Sequence, residues 1–252
     1  MGLTRAEVFV FFLVLLRVSL VIAFLPVFGS SQLPRIFKIG LVVGLSIAIV
    51  PLVKDLTLRT EHLVSLTVSE LLLSVALALT VRLIFFGVDI AGQLMSTTMG
   101  LSMATVFNPE IGQSTELARF YGVIAIILFF ALDLHHQVII ALIESFRFIP
   151  AGGFSGKDFV EPLVSLLGRI FVFGVRVSLP LIIVMMVVNV VLGILYKVIP
   201  QFNLFFVGYP LYIGLGLLVV LLGLPFFITA LKGAFSEGLT DLGQFIMAAG
   251  GR

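Results

Sequence analysis

Residues 90–109 read IAGQLMSTTMGLSMATVFNP, a stretch with no charged side chain that lies between two long apolar segments. Its hydropathy suits a membrane interior. Gln93, Ser96, Thr97, Thr98, Ser102, Thr105 and Asn108 are nevertheless poor partners for lipid tails, so protein or water is expected around it. Read as helix, it carries small residues at every fourth position, Gly92, Ser96, Gly100 and Ala104, the spacing that lets a second backbone approach closely inside a bilayer. A neighbouring row holds Met95, Met99, Met103 and Phe107. Unbranched thioethers fill irregular gaps and yield when pressed, and a ring of apolar side chains closes an aqueous path by dewetting. Deformable side chains beside a polar, glycine-bearing backbone read as a gate; the plainer reading makes the methionines ordinary core.

The composition excludes a soluble domain. Of 252 residues, 60% are hydrophobic and 11% charged, with a mean hydropathy of +1.27. Soluble domains run nearer ~45–50% apolar and ~25% charged. Several runs reach the roughly 20 apolar residues of a spanning helix, and the period-two alternation of a membrane β-barrel is not seen. An all-α, polytopic integral membrane protein follows, with about six long, partly broken hydrophobic helices. A net charge of +2 without a Lys/Arg run gives no footprint for nucleic acid. With no cysteine there is no disulfide, thiol nucleophile or thiolate metal site. The opening MGLTRAEVFVFFLVLL is expected to remain as a first helix, because Arg17 interrupts the apolar run and no small-residue cleavage site follows closely.

In chain order, the first segment runs from about 6 to 26 with Arg17 mid-span, a position that calls for protein or water rather than lipid. The second, 39–53, is short for a span and contains the Gly40-x-x-x-Gly44 helix-contact spacing. Thr67-x-x-Glu70 then matches a capping box, which makes Glu70 an N-terminal cap or, failing that, an intramembrane partner. Arg82 and Asp89 lie seven apart on the run into the organising stretch, and Asn108-Pro109-Glu110 reads as a turn or helix start. A fourth segment, 117–149, carries Asp133, His135, His136, Glu144 and Arg147. A fifth, 159–199, exceeds a straight span and holds Arg169 and Arg176 one heptad apart, with Pro180 as an expected kink. The sixth, 204–232, is expected to break at Gly208-Tyr-Pro210 and Leu224-Pro225, and the tail 234–252 has the Phe235, Leu239, Leu242, Ile246 stripe of an amphipathic helix. A lone bundle would struggle to shelter so many ionisable groups, so they line water or other subunits cover them.

Catalytic readings find little support. Asp133-x-His135-His136 is the one cluster with metal-binding residue types, but adjacent histidines on a helix point about 100° apart, whereas helical zinc sites use two histidines at i, i+4. No metal or cofactor is expected; Asp133 and His136 are expected to form a buried polar pair and Glu144 with Arg147 a local ion pair. No nucleophile elbow, Walker A or dinucleotide fingerprint is present, so an intramembrane hydrolase using His135, His136 and Glu144 has no positive signal. A self-contained transporter of small solutes, with the broken third segment as its midplane site, stays open as an alternative.

The order of several landmarks resembles one family. Gly100-Leu-Ser-x-Ala-Thr followed by Asn108-Pro109, Leu128 to His135 as LFF-x-x-Asp-x-His, and Ser145 to Pro150-x-Gly152 are similar to the FliR family of flagellar biosynthesis and its homologues in virulence-type type III secretion. Leu179-Pro180-Leu, Asn189-x-x-Leu-Gly193 and Pro200-Gln-x-Asn-x-Phe-x-x-Gly208-x-Pro210 extend the likeness over nearly the whole chain. The resemblance implies a non-enzymatic export-gate subunit of the bacterial inner membrane and flagellar basal body. Its helical hairpins would join P-type (FliP-like) and Q-type (FliQ-like) subunits in a helical hetero-oligomer, with FlhB-like and FlhA-like components, unfolded exported proteins and membrane lipid as further partners. By the same likeness, 1–158 is a P-type-like part with a plug loop at about 100–116, 159–232 a Q-type-like hairpin and 233–252 the tail. The plug positions are Gly100, Leu101, Ser102, Met103, Ala104, Thr105, Val106, Phe107, Asn108 and Pro109, backed by Met95 and Met99. Arg17, Glu70, Arg82, Asp89, Asp133, His136, Arg169 and Arg176 would serve as intramembrane or intersubunit polar contacts.

Overall fold

A computed structural model describes residues 5–29, 33–53, 63–101, 115–149, 154, 157–199 and 204–250. All six apolar segments are helical, and no strand occurs among the described residues. The first helix, α1 (Arg5–Phe24), stops ahead of Pro26 and is followed by a single turn, α2 (Pro26–Gly29). Pro34, extended at φ −55° and ψ 138°, stands before α3 (Arg35–Ile49), which tightens into a 3₁₀ turn at Val50–Val53 where Pro51 withholds its N–H. The remaining helices are α4 (Leu63–Thr98), α5 (Glu116–Ala131), α6 (Leu134–Phe148), α7 (Lys157–Val198) and α8 (Leu204–Gly250). Among the described residues four helical stretches are long and apolar enough to cross a membrane, Arg35–Val53, Val64–Thr98, Val160–Val198 and Gly208–Met247, and the α5–α6 pair adds a fifth if counted as one bent span. At ~1.5 Å per residue, α4 (36 residues), α7 (42) and α8 (47) measure roughly 54, 63 and 70 Å, well beyond a hydrocarbon layer of about 30 Å.

Three expectations change. Thr67 and Glu70 do not open a helix: α4 begins at Leu63, and Glu70 lies inside it, 1% exposed. The 117–149 segment is two helices bent by 68°. At the break Asp133 takes the left-handed conformation, φ 54° and ψ 25°, which Asp tolerates better than most residues. Its N–H donates to the Phe130 carbonyl, and its own carbonyl accepts from the His136 N–H. The last segment does not break at its prolines, because α8 runs through Pro210 and Pro225 and on through the tail. Unwinding there would strand further backbone groups where lipid offers no partner, so one missing N–H is the smaller cost.

The helices sort into two compact units, one made of 1–84, 129–167 and 235–252, the other of 85–128 and 168–234. In the first unit α1 packs on α3, and Phe235, Leu242 and Ile246 of the tail's apolar stripe are buried, with Leu239 half-buried; Phe235 lies against Phe129 and the neighbouring Phe245 against Phe154, each at 5.9 Å between ring centroids. The tail's apolar face is therefore covered by its own chain. In the second unit the chain uses glycine where backbones meet. A Cβ on Gly92 would stand 2.6 Å from the Ala118 amide nitrogen, and one on Gly174 would stand 3.0 Å from the Gly87 carbonyl oxygen.

Replacing Gly92 by valine forces α4 and α5 apart and should cost about 1–3 kcal/mol. Gly193→Ala, where nothing lies within 4 Å of the added carbon, should keep or raise stability. Thermal unfolding of the detergent-solubilised protein measures both; equal melting temperatures for the two variants contradict the close approach.

Candidate functional site

The end of α4 sets how the chain enters the organising stretch. The Gly100 N–H donates to the Thr97 carbonyl at 3.1 Å and the Leu101 N–H to the Ser96 carbonyl at 3.0 Å. Gly100 sits at φ 75°. Two nested bonds around a left-handed residue are a Schellman closure, which favours glycine because a Cβ is disfavoured there. The helix therefore stops at this point, and the row Gly92, Ser96, Gly100 does not continue as one helical face. Ala104 and the other plug positions, Ser102 to Pro109, lie outside the described residues.

The described side of the junction is well packed. Met95 is 2% exposed and Met99 is fully buried. Met99 lies against Gly216 of α8, where an added Cβ would come 2.7 Å from its Cγ and Sδ. Beside it, the Tyr209 ring is 3.8 Å from where a Gly100 Cβ would stand. The threonine polarity is met inside α4, since the Thr97 hydroxyl donates to the Gln93 carbonyl at 2.8 Å and the Thr98 hydroxyl to the Leu94 carbonyl at 2.6 Å. Ser96 Oγ is buried without a hydrogen-bond partner.

The first unit holds a polar node at Arg17, which is fully buried. Its guanidinium forms a forked pair with Glu70: Nε donates to Oε2 at 2.9 Å, and Nη2 to Oε1 at 2.7 Å and Oε2 at 2.6 Å. Nη1 donates to Ser145 Oγ at 2.9 Å, and the guanidinium carbon lies 3.8 Å from the centre of the Phe146 ring. The Ser145 hydroxyl in turn donates a hydrogen bond to the Leu142 carbonyl at 2.6 Å. One arginine so joins α1, α4 and α6. Ser145 and Phe146 gave no signal as its partners, because sequence spacing reports neighbours along one helix and Ser145 lies 128 positions from Arg17.

Other predicted polar residues are placed differently. Arg82, Arg169 and Arg176 are exposed although each sits in a long apolar helix, and Asp89 is half-buried. Asp133 and His136 pair at 3.4 Å, with side chains 74% and 65% exposed, so the pair is not the buried contact expected; the bend at Asp133 lifts it out of the helix packing.

Two sets of variants test the node and the closure. Arg17→Met alone leaves a buried carboxylate unpaired and should cost about 3–5 kcal/mol, whereas Arg17→Met with Glu70→Leu should recover most of the loss; a double variant as unstable as the single one contradicts this pairing. Gly100→Val should cost about 1–2 kcal/mol and Gly100→Asn only a fraction of that, read by thermal unfolding.

The chain matches the model of the family described as bacterial export proteins, family 1, over residues 8–238. It is 33% identical to the flagellar biosynthetic protein FliR of Pectobacterium carotovorum subsp. carotovorum, with 90% of this chain and 88% of that protein covered. It is 30% identical to FliR of Escherichia coli (strain K12), covering 94% and 92%, and 30% identical to FliR of Aquifex aeolicus (strain VF5), covering 88% of each. With a family match that takes in the Arg17 node, the α4 closure and most of α8, this membrane-embedded, all-helical chain belongs to the bacterial export proteins, family 1.

Proposed function

We propose that this chain is a non-enzymatic subunit of the flagellar protein export gate in the bacterial inner membrane. It forms, with P-type and Q-type subunits, the channel through which unfolded proteins pass, and residues 103–107 supply an apolar plug. The observation that carries this reading is the α4 end. A helix of 36 residues is stopped by Gly100, anchored by buried Met95 and Met99, and followed directly by the charge-free run Ser102 to Pro109. An apolar loop mounted on an anchored helix can seal by dewetting and yield to a passing chain.

The need for partner subunits is supported by what the chain leaves uncovered. Only 28% of the apolar window in Val160–Val198 and 17% of that in Gly208–Met247 is buried, and exposed Arg176 interrupts the apolar surface of α7. Lipid covers apolar side chains but not its guanidinium group, which calls for water or neighbouring helices. The Q-type-like hairpin at 159–232 is supported by the Tyr212 hydroxyl donating to Asn189 Oδ1 at 2.6 Å, two residues nearly equidistant from the 200–203 connection between α7 and α8.

Shrinking Met103, Val106 and Phe107 to alanine in the assembled complex should raise ion leak across the membrane while the complex still forms. Unchanged leak in an intact complex contradicts the plug assignment.

A further inference from the structure

We propose that Asp133, His135 and His136 form a binding site for a divalent transition metal of the zinc class at the bend between α5 and α6. The chain breaks at Leu132, which frees Asp133 from the helix pattern, and although His135 and His136 are neighbours in α6, their ring centroids lie only 4.1 Å apart. Asp133 stands at the N-cap of α6 yet makes no side-chain capping hydrogen bond, although an Asp there usually accepts from the first-turn amides. Its carboxylate turns to His136 instead. The 3.4 Å from Asp133 Oδ1 to His136 Nδ1 is longer than a good N–H···O bond of about 2.7–3.2 Å. It equals the edge, roughly 3.4 Å, of a tetrahedron whose metal–ligand bonds are about 2.1 Å.

His135 completes the set. One ligand atom from each of the three residues lies within 4.8 Å of the others, so a small side-chain adjustment brings all three onto one ion. The His135 ring is held between Phe130, at 5.1 Å, and the His136 ring, at 4.1 Å, and its Nδ1 is buried without a hydrogen-bond partner. A buried imidazole nitrogen with its hydrogen bond unmade is costly. Reorientation of the ring onto a metal would relieve that cost. Two imidazoles and one carboxylate favour Zn²⁺, Co²⁺, Ni²⁺ or Cu²⁺ over Ca²⁺ and Mg²⁺, which prefer all-oxygen shells. Three protein ligands also leave one position for water. Exposed Asp133 and His136 give an ion access, and all three residues belong to the first unit. A bound ion would tie the left-handed Asp133 to the first turn of α6 and so fix the bend.

The test uses the full chain with its partners, purified without a histidine tag. Co²⁺ titration followed by visible d–d absorption should show one equivalent bound, and Cu²⁺ electron paramagnetic resonance should show hyperfine structure from two imidazole nitrogens. Asp133→Asn and His136→Gln, both at exposed positions, should each weaken Co²⁺ binding by about tenfold or more, while His62→Gln should leave it unchanged. Circular dichroism and co-purification with partners establish that the variants are folded. No Co²⁺ binding by the unsubstituted chain, binding by the two folded variants as tight as that of the unsubstituted chain, or a Cu²⁺ signal from a single nitrogen overturns the proposal.

Discussion

The forked pair between Arg17 and Glu70 is the constraint on which the first unit rests. In a chain that is 60% hydrophobic, apolar side chains slide past one another at little cost, and burial alone does not set helix register. A buried guanidinium differs, because every alternative register leaves it without its carboxylate in a medium that cannot solvate it. Its Nε and Nη2 reach α4 and its Nη1 reaches α6 from α1, and the neighbouring serines extend the polar seam. Ser74 donates to the Glu70 carbonyl at 2.6 Å, and Ser69 both donates to and accepts from the Phe154 backbone, at 3.0 and 3.3 Å. Three helices are thus indexed to one another by directional bonds.

In the second unit glycine plays the corresponding part by allowing contact. Gly92 on Ala118, Gly174 on Gly87 and Gly216 under Met99 each let a helix come closer than any side chain permits. The α4 terminus is consequently held by close packing on the side of Met99 and Tyr209. The plug proposed for the residues after Gly100 would have a fixed mount there. The three long helices exceed one hydrocarbon crossing, and α7 and α8 leave most of their apolar windows uncovered, which supports the proposed place in a larger assembly.

Much of this was legible in the residues. Composition and run length gave an all-helical membrane protein, and an arginine at mid-span announced a protein-facing contact at Arg17. What hydropathy does not carry is local backbone chemistry and long-range partnership. The bend at Asp133 depends on one left-handed residue inside an apolar run, and the continuity of α8 depends on how little a membrane rewards unwinding at Pro210 and Pro225. The Thr67–Glu70 pattern misled because a capping box and a buried carboxylate share the same letters; only the partner 53 positions away separates them. Gly100 was counted as a helix-contact residue when its role is to end the helix, a distinction that lies in its φ of 75° rather than in its spacing. Gly216, which receives Met99, carried no motif at all.

The account's central claim is that the run after Gly100 faces the path of exported protein. Site-specific photo-crosslinking with a substrate stalled during export tests it most directly, with the reactive group placed at Phe107 in the plug and, for comparison, at exposed Ile183 on α7. The account predicts an adduct between the substrate and position 107 and none at position 183. A stalled substrate that never links to position 107 in an assembled, exporting complex would contradict it.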